Sequence, residues 1–277
     1  MNNIYFNHNK YFDTIFIKFE ILFGGVYMNI KWNAEGYAKD FQFVHKYGED
    51  VLSLLDIEKG MKVLDLGCGN GALTKKIADM GADVIGMDAS KEMLDIAKNN
   101  YPKLTFRQDD GVKFSLSEPV DAVFSNAVFH WIDDQDTLLE NISNSLKSNG
   151  QLVCEFGGYG CAETIHSALQ KQFEKRGLTY RRTFYFPTIG QYTPVVERHG
   201  LKVVYAVLFD RKTLLSGKDG MKDWIEMFVT LPFKGLDKGL GDEIIEEAVE
   251  DLKSSLYEDG VWYADYVRIR LKAKKIK

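Results

Sequence analysis

The chain has 277 residues, 45% of them hydrophobic and 27% charged, and a net charge of −5. That is globular composition, long enough for one large domain with an added layer, and its acidic balance argues against a binder of nucleic-acid backbones. Even the apolar run Thr14 to Val26 is broken by Lys18 and Glu20, which argues against a membrane span, and Cys68, Cys154 and Cys161 lack metal spacing and suit a reducing, cytoplasmic setting.

Residues 1–27, dominated by Asn, Ile, Tyr and Phe, lack the positive start and small-residue cleavage site of a signal peptide. They read as a non-native or poorly ordered extension ahead of Met28. From Ala34 to Leu55, Tyr37, Phe41, Val44, Tyr47, Val51, Leu54 and Leu55 keep helical spacing. Strand-like runs follow at Lys62–Leu66, Asp83–Met87, Leu104–Arg107, Val120–Ser125 and Gln151–Phe156, with helical patterns between them. Ser90 caps a helix through Lys98, and Asp133 or Asp134 caps one through Lys147. Gly81 and Gly150 sit where helices should stop.

After Gly157 the rhythm changes. A segment rich in Arg, Tyr and Phe precedes a helix that starts at Thr188 or at Thr193, and Leu201–Phe209 reads as a sixth strand. A helical insert carries Met221, Trp224, Ile225 and Phe228 on one face, and the chain closes on a strand over Val261–Ala273. The expected fold is α/β, a Rossmann-like sheet of seven strands. It is mostly parallel with an antiparallel last strand, has helices on both faces, and spans one domain over 28–277 with helical lid insertions at about 157–190 and 212–258.

The chemistry concentrates in VLDLGCGNG, residues 63–71. A buried strand ends on Asp65 and runs into Gly67, Gly69 and Gly71, which let a ligand lie against bare backbone, while Asn70 to Leu73 open a helix. Taken alone, the loop also fits the dinucleotide fingerprint: Gly67, Gly69 and Ala72 satisfy G-x-G-x-x-A, and Asp88 stands at the separation of a ribose-binding acid, roughly twenty residues on.

With GMDASKEM (86–93) and FRQDDG (106–111), DLGCGNG resembles the first three motifs of the class I S-adenosylmethionine-dependent methyltransferases. SNAVFHW (125–131), EFGGYG (155–160) and WYADYVRIR (262–270) are similar to a subfamily related to trans-aconitate methyltransferases. The resemblance implies S-adenosyl-L-methionine as cofactor. The Gly67–Gly71 backbone, with Cys68 and Asn70 inside it, would hold the methionyl part, and Asp65 would approach its amino group. Asp88 would accept the ribose hydroxyls, Ala89 and Met93 would line the adenine, and Asp110 or its neighbour Asp109, with Gly111, would meet the adenine amine. A carboxylate before the first glycine suits a ligand that carries a sulfonium and an ammonium and no phosphate.

Asn126 and Ala127, at the end of the fourth strand, are expected at the cofactor, and His130 and Trp131 beside the acceptor. His130 is the candidate general base. Tyr37 and Phe41 are expected to close over the acceptor, and Arg181, Arg182 and Arg211 are candidates to clamp a carboxylate. Tyr159, Tyr180, Phe184, Tyr185, Tyr192 and Trp224 are candidates to line a flat apolar acceptor site. The expectation is a small-molecule methyltransferase with no metal, nucleic-acid or membrane partner. An NAD-dependent oxidoreductase and a non-catalytic adenosylmethionine-binding module are the alternatives.

Overall fold

The computed structural model describes Gly48 and residues 50–276. The readings for 1–27 and for Tyr37 and Phe41 lie outside the described residues. The first half alternates as its apolar runs demand: β1 (Lys62–Leu66), α1 (Ala72–Asp79), β2 (Asp83–Asp88), α2 (Lys91–Asn100), β3 (Thr105–Gln108), β4 (Val120–Asn126), α3 (Gln135–Ser145) and β5 (Leu146–Gly157). Then come α4 (Glu163–Lys175), α5 (Ile189–Arg198), β6 (Leu201–Leu215), α6 (Gly220–Phe228), α7 (Lys238–Leu256), the two-residue β7 (Tyr257–Glu258) and β8 (Val261–Lys275).

The sheet order is β3-β2-β1-β4-β5-β8-β6, with β7 forming a hairpin onto β8. Strands β1 to β5 run parallel, and β8 is antiparallel to both its neighbours. This is the mostly parallel, Rossmann-like arrangement that the alternation predicts. Because β2 lies on one side of β1 and β4 on the other, winding reverses there and opens a crevice at the strands' carboxyl ends.

Alternation along each strand sorts residues onto two faces. Val63, Val84, Phe124 and Val153 pack with Leu73 and Ile77 of α1, whereas Leu64, Val123, Leu152 and Phe156 pack with Leu138 and Ile142 of α3 and Tyr192 of α5. Both faces are covered, which is why these strands read as unbroken apolar runs. Truncating one of these buried side chains to alanine costs about 2–5 kcal/mol. A third cluster joins α4, α6 and α7 to Leu215, Trp262, Ala264 and Tyr266.

Strand β8 serves two of these clusters by changing phase. Trp262, Ala264, Tyr266 and Arg268 are buried on one face, then Ile269, Leu271 and Ala273 on the other. Arg268 is the last residue of the first series.

The caps confirm the sequence signals and settle their alternatives. Ser90 Oγ accepts from the Met93 amide at 3.2 Å, Asp134 Oδ1 from the Thr137 amide at 3.0 Å, and Thr188 begins α5 with a reciprocal capping box to Gln191. One boundary differs from expectation: α3 stops at Ser145, and the left-handed residue is Asn149 (φ 63°), not Gly150. A Cβ on Gly150 would lie 2.8 Å from the Lys147 carbonyl, so the glycine answers a close backbone approach. Strand β6 also outruns its expected end at Phe209, because β8 pairs with it as far as Leu215↔Trp262.

Candidate active site

At the crevice, β1 delivers the glycine loop. Gly67, Gly69 and Gly71 all have positive φ, 76°, 55° and 81°. A Cβ on Gly67 would stand 2.1 Å from Val128 Cγ2, so the loop after β1 touches the loop after β4 with no room for a side chain. The loop's amides are largely engaged inside the protein. Those of Gly67 and Cys68 donate to the Met87 carbonyl at 2.7 and 3.0 Å, and that of Gly71 to the Cys68 carbonyl at 3.0 Å. The Gly69 amide donates to Asp88 Oδ2 at 2.8 Å, and the Ala72 amide to Asn70 Oδ1 at 3.2 Å. The loop therefore presents bare backbone surface more than a fan of free donors.

Two carboxylates stand beside it. Asp65, 1% exposed, accepts from Thr74 Oγ1 of α1 at 2.6 Å. Burial pushes its pKa up to about 7, with the Thr74 hydroxyl opposing and Asp88 reinforcing the shift. Asp88 joins the loops after β1 and β2, taking the Gly69 amide on one oxygen and the Ser90 amide on the other, each at 2.8 Å. Burial raises its pKa too, against those amides. Neither carboxylate pairs with a Lys, Arg or His among the described residues. This corner is built for a cationic ligand.

Met93, buried on α2, brings its Cε within 3.2 Å of where a Cβ on Gly69 would lie, and Ala89 is half-buried alongside Asp88 in the chain. Beyond β3 the paired acids divide. Asp109 is committed to Arg107, while Asp110 accepts only the Val112 amide at 3.0 Å, leaving its carboxylate the one of the pair without a cation. Gly111 follows, its carbonyl taking a hydrogen bond from Asn141 at 3.3 Å. Cys68 is buried, and burial with the two nearby acids pushes its thiol pKa up, so it is a packing residue and no nucleophile.

Across the Val128 contact lies a pocket with an empty volume of about 460 Å³, its open mouth included. Ala127, at φ 62°, donates its backbone amide hydrogen to the Glu155 carbonyl at 2.7 Å and lines the pocket with Cys161 and Ala162. The walls are aromatic: Trp131, Phe184, Phe186, Trp224, Phe228 and Tyr266. Phe184 stacks on Phe186 at 5.2 Å and meets Trp131 edge-on at 4.7 Å. Trp224 Nε1 donates to Tyr266 Oη at 2.5 Å. His130 and Arg268 complete the lining among the described residues.

His130 Nδ1 accepts the Gly157 amide at 3.3 Å, so the proton of the neutral ring resides on Nε2. Burial, aided by the Arg268 cation, holds its pKa well below the usual histidine range. Such a ring donates a hydrogen bond and is a poor proton acceptor. The general-base role expected of His130 therefore conflicts with the geometry.

The model of the methyltransferase domain family matches residues 64–154, from β1 into β5. An uncharacterised methyltransferase of Schizosaccharomyces pombe is 29% identical over 259 residues, covering 88% of this chain and 98% of its own. A trans-aconitate 2-methyltransferase of Rhizobium etli is 26% identical over 212 residues, covering 73% and 81%. The chain is an S-adenosylmethionine-dependent methyltransferase. In fold it is also similar to the geranyl diphosphate C-methyltransferase of Streptomyces coelicolor, solved with S-adenosyl-L-homocysteine, at a TM-score of 0.51 and 17% identity over 83% of this chain and 79% of that one. Its cofactor is S-adenosyl-L-methionine, and a pair of carboxylates without a cation fits the sulfonium and ammonium of that molecule.

The residues expected at the methyltransferase's acceptor divide in two. Trp131, Phe184 and Trp224 line the pocket. Arg182 does not: it is exposed and ion-paired with Glu163, its Nη2 2.7 Å from Oε1. Arg211 pairs with buried Glu155, and Arg181 is exposed. Tyr192 is wholly buried in the α5 core, and Tyr159 is 65% exposed. The residue missed was Arg268. Its signal was phase, since Trp262, Ala264 and Tyr266 mark the buried face of β8 and Arg268 continues it. Among the described residues no helix is long and apolar enough to cross a membrane.

Proposed function

We propose that this methyltransferase moves a methyl group to a carboxylate oxygen of a small-molecule acceptor held in the aromatic pocket. The observation that carries the reading is the lining: among the described residues it holds one cation, no group able to take a proton, and otherwise largely apolar walls. His130 has its Nδ1 lone pair engaged, and burial pushes the Cys161 thiol up. An ionised carboxylate brings its own lone pair and needs no base. On taking the methyl it becomes a neutral ester with no proton moved. His130 Nε2–H serves as a donor that orients the acceptor oxygen.

When bound, S-adenosylmethionine supplies an electrophilic methyl on its sulfonium. In this reading, Asp65 faces the methionyl ammonium across the Gly67–Gly71 surface and Asp88 keeps lone pairs for the ribose hydroxyls. Ala89 and Met93 flank the adenine, Asp110 and Gly111 meet its amine, and Asn126 and Ala127 separate cofactor from acceptor. Dinucleotide binding is disfavoured, because a pyrophosphate wants free amides and the loop's are engaged, and two carboxylates would repel it.

Isothermal titration with S-adenosylmethionine, S-adenosylhomocysteine and NAD tests the cofactor part. The first two bind with one site per chain; binding of NAD alone removes the reading. A screen of small carboxylates with labelled methyl donor tests the acceptor. Tight cofactor binding with no transfer to any carboxylate would favour the non-catalytic binding module.

A further inference from the structure

Arg268 is only 7% exposed and lines the acceptor pocket. Its Nε finds no hydrogen-bond partner, and no Asp or Glu among the described residues pairs with it. Among the described residues its stabilising neighbour is the Tyr266 ring, with the guanidinium carbon 4.4 Å from the centroid. Two partly buried arginines of the sheet are treated differently: Arg211 and Arg270 both bind Glu155. A buried cation is expensive unless paired. The fork of donors on Arg268 is left for a ligand that brings the charge.

The rest of the lining limits what that ligand is. His130 is neutral and the remaining walls are aromatic or small. Among the described residues, the pocket thus neutralises one negative charge and offers no second cation. His166 packs on Phe184, its centroid 5.6 Å away, and does not itself line the pocket.

We infer that Arg268 is the single anion anchor of the acceptor site, and that it selects a monocarboxylate with a flat apolar body and excludes polycarboxylates. This deepens the function proposed above and rests on it. It also separates the chain from relatives named for trans-aconitate, a tricarboxylate. A tricarboxylate would leave two charges desolvated against Trp131, Phe184 and Phe228. The Tyr266 face gives the guanidinium a surface to rest on, and the stacked Phe184–Phe186 pair offers a flat acceptor its parallel surface.

The test uses the full chain saturated with S-adenosylhomocysteine, whose own binding is measured first. Calorimetry then compares a panel of aromatic monocarboxylates, trans-cinnamate among them, with their neutral amides and with trans-aconitate. At least one monocarboxylate binds at least tenfold tighter than its amide, and trans-aconitate binds more weakly than that monocarboxylate. In Arg268→Gln the preference for acid over amide disappears while S-adenosylhomocysteine affinity is unchanged, and Arg268→Lys restores part of it. Arg268→Gln also raises Tm by a few degrees, because it removes an unpaired buried charge, whereas a structural arginine would lower it. The inference is overturned if no monocarboxylate binds, if trans-aconitate binds as tightly as the best of them, or if Arg268→Gln keeps the preference. Loss of S-adenosylhomocysteine binding in the wild type would instead overturn the cofactor reading beneath it.

Discussion

The two ends of the site are opposite in charge and in construction. In the proposed reading, the donor end is made of three short contiguous stretches, 65–71, 88–93 and 109–111, and works with backbone and with Asp65, Asp88 and Asp110, which pair with no cation among the described residues. The acceptor end gathers side chains from five separated places between Ala127 and Arg268, and works with aromatic rings and a cation that lacks an anion. The difference teaches where each kind of information is stored. In that reading, a cofactor of fixed chemistry is met by local geometry, whereas an acceptor is met by the tertiary packing of residues far apart in the chain.

The comparison is broken most severely at the point where the two ends touch. Gly67→Ala should destabilise the fold by about 3 kcal/mol, from positive φ and overlap with Val128 together, and abolish cofactor binding. Urea unfolding and calorimetry check it. Asp88→Asn acts on the donor end alone: S-adenosylmethionine affinity should fall by about 1–3 kcal/mol, roughly ten- to a hundredfold, with acceptor affinity measured by tryptophan quenching unchanged.

His130→Gln acts on the acceptor end. As a donor it accounts for about tenfold in turnover, against the 10²–10⁴ expected of a general base, and the pH profile of kcat/KM should show no histidine limb near neutrality. Asp65 gives the donor end a pH signature. Its carboxyl, raised to about 7, is protonated below that pH and ionised above it. A cationic ligand favours the ionised form, so S-adenosylmethionine affinity should rise several-fold from pH 6 to 7.5, with a proton released on binding near pH 6.5. Calorimetry in buffers of different ionisation enthalpy reads that proton. Arg182→Ala should have the smallest effect, within about 0.5 kcal/mol in stability and unchanged in turnover, because its partner Glu163 is on the surface.

What was legible in the sequence follows the same division. The strand runs, the caps at Ser90 and Asp134, the glycine loop and Asp88 all rest on neighbours in the chain, where local rules operate. His130 and Trp131 were placed at the acceptor because strand ends in such a sheet converge there. The proton on His130 was not legible, since it depends on the Gly157 amide, 27 residues away. Arg182 and Arg268 were equally charged in sequence. Only packing distinguishes the one paired at the surface from the one buried in the pocket.

The central claim is that a pocket holding a cation and no base methylates an acceptor that is already ionised. It is tested most directly by transferring labelled methyl from S-adenosylmethionine to the best-bound carboxylate and treating the product with hydroxide. The account predicts a methyl ester, with the label released quantitatively as volatile methanol. Label that stays on the acceptor through alkali, as methyl bound to nitrogen, carbon or an ether oxygen, would contradict it.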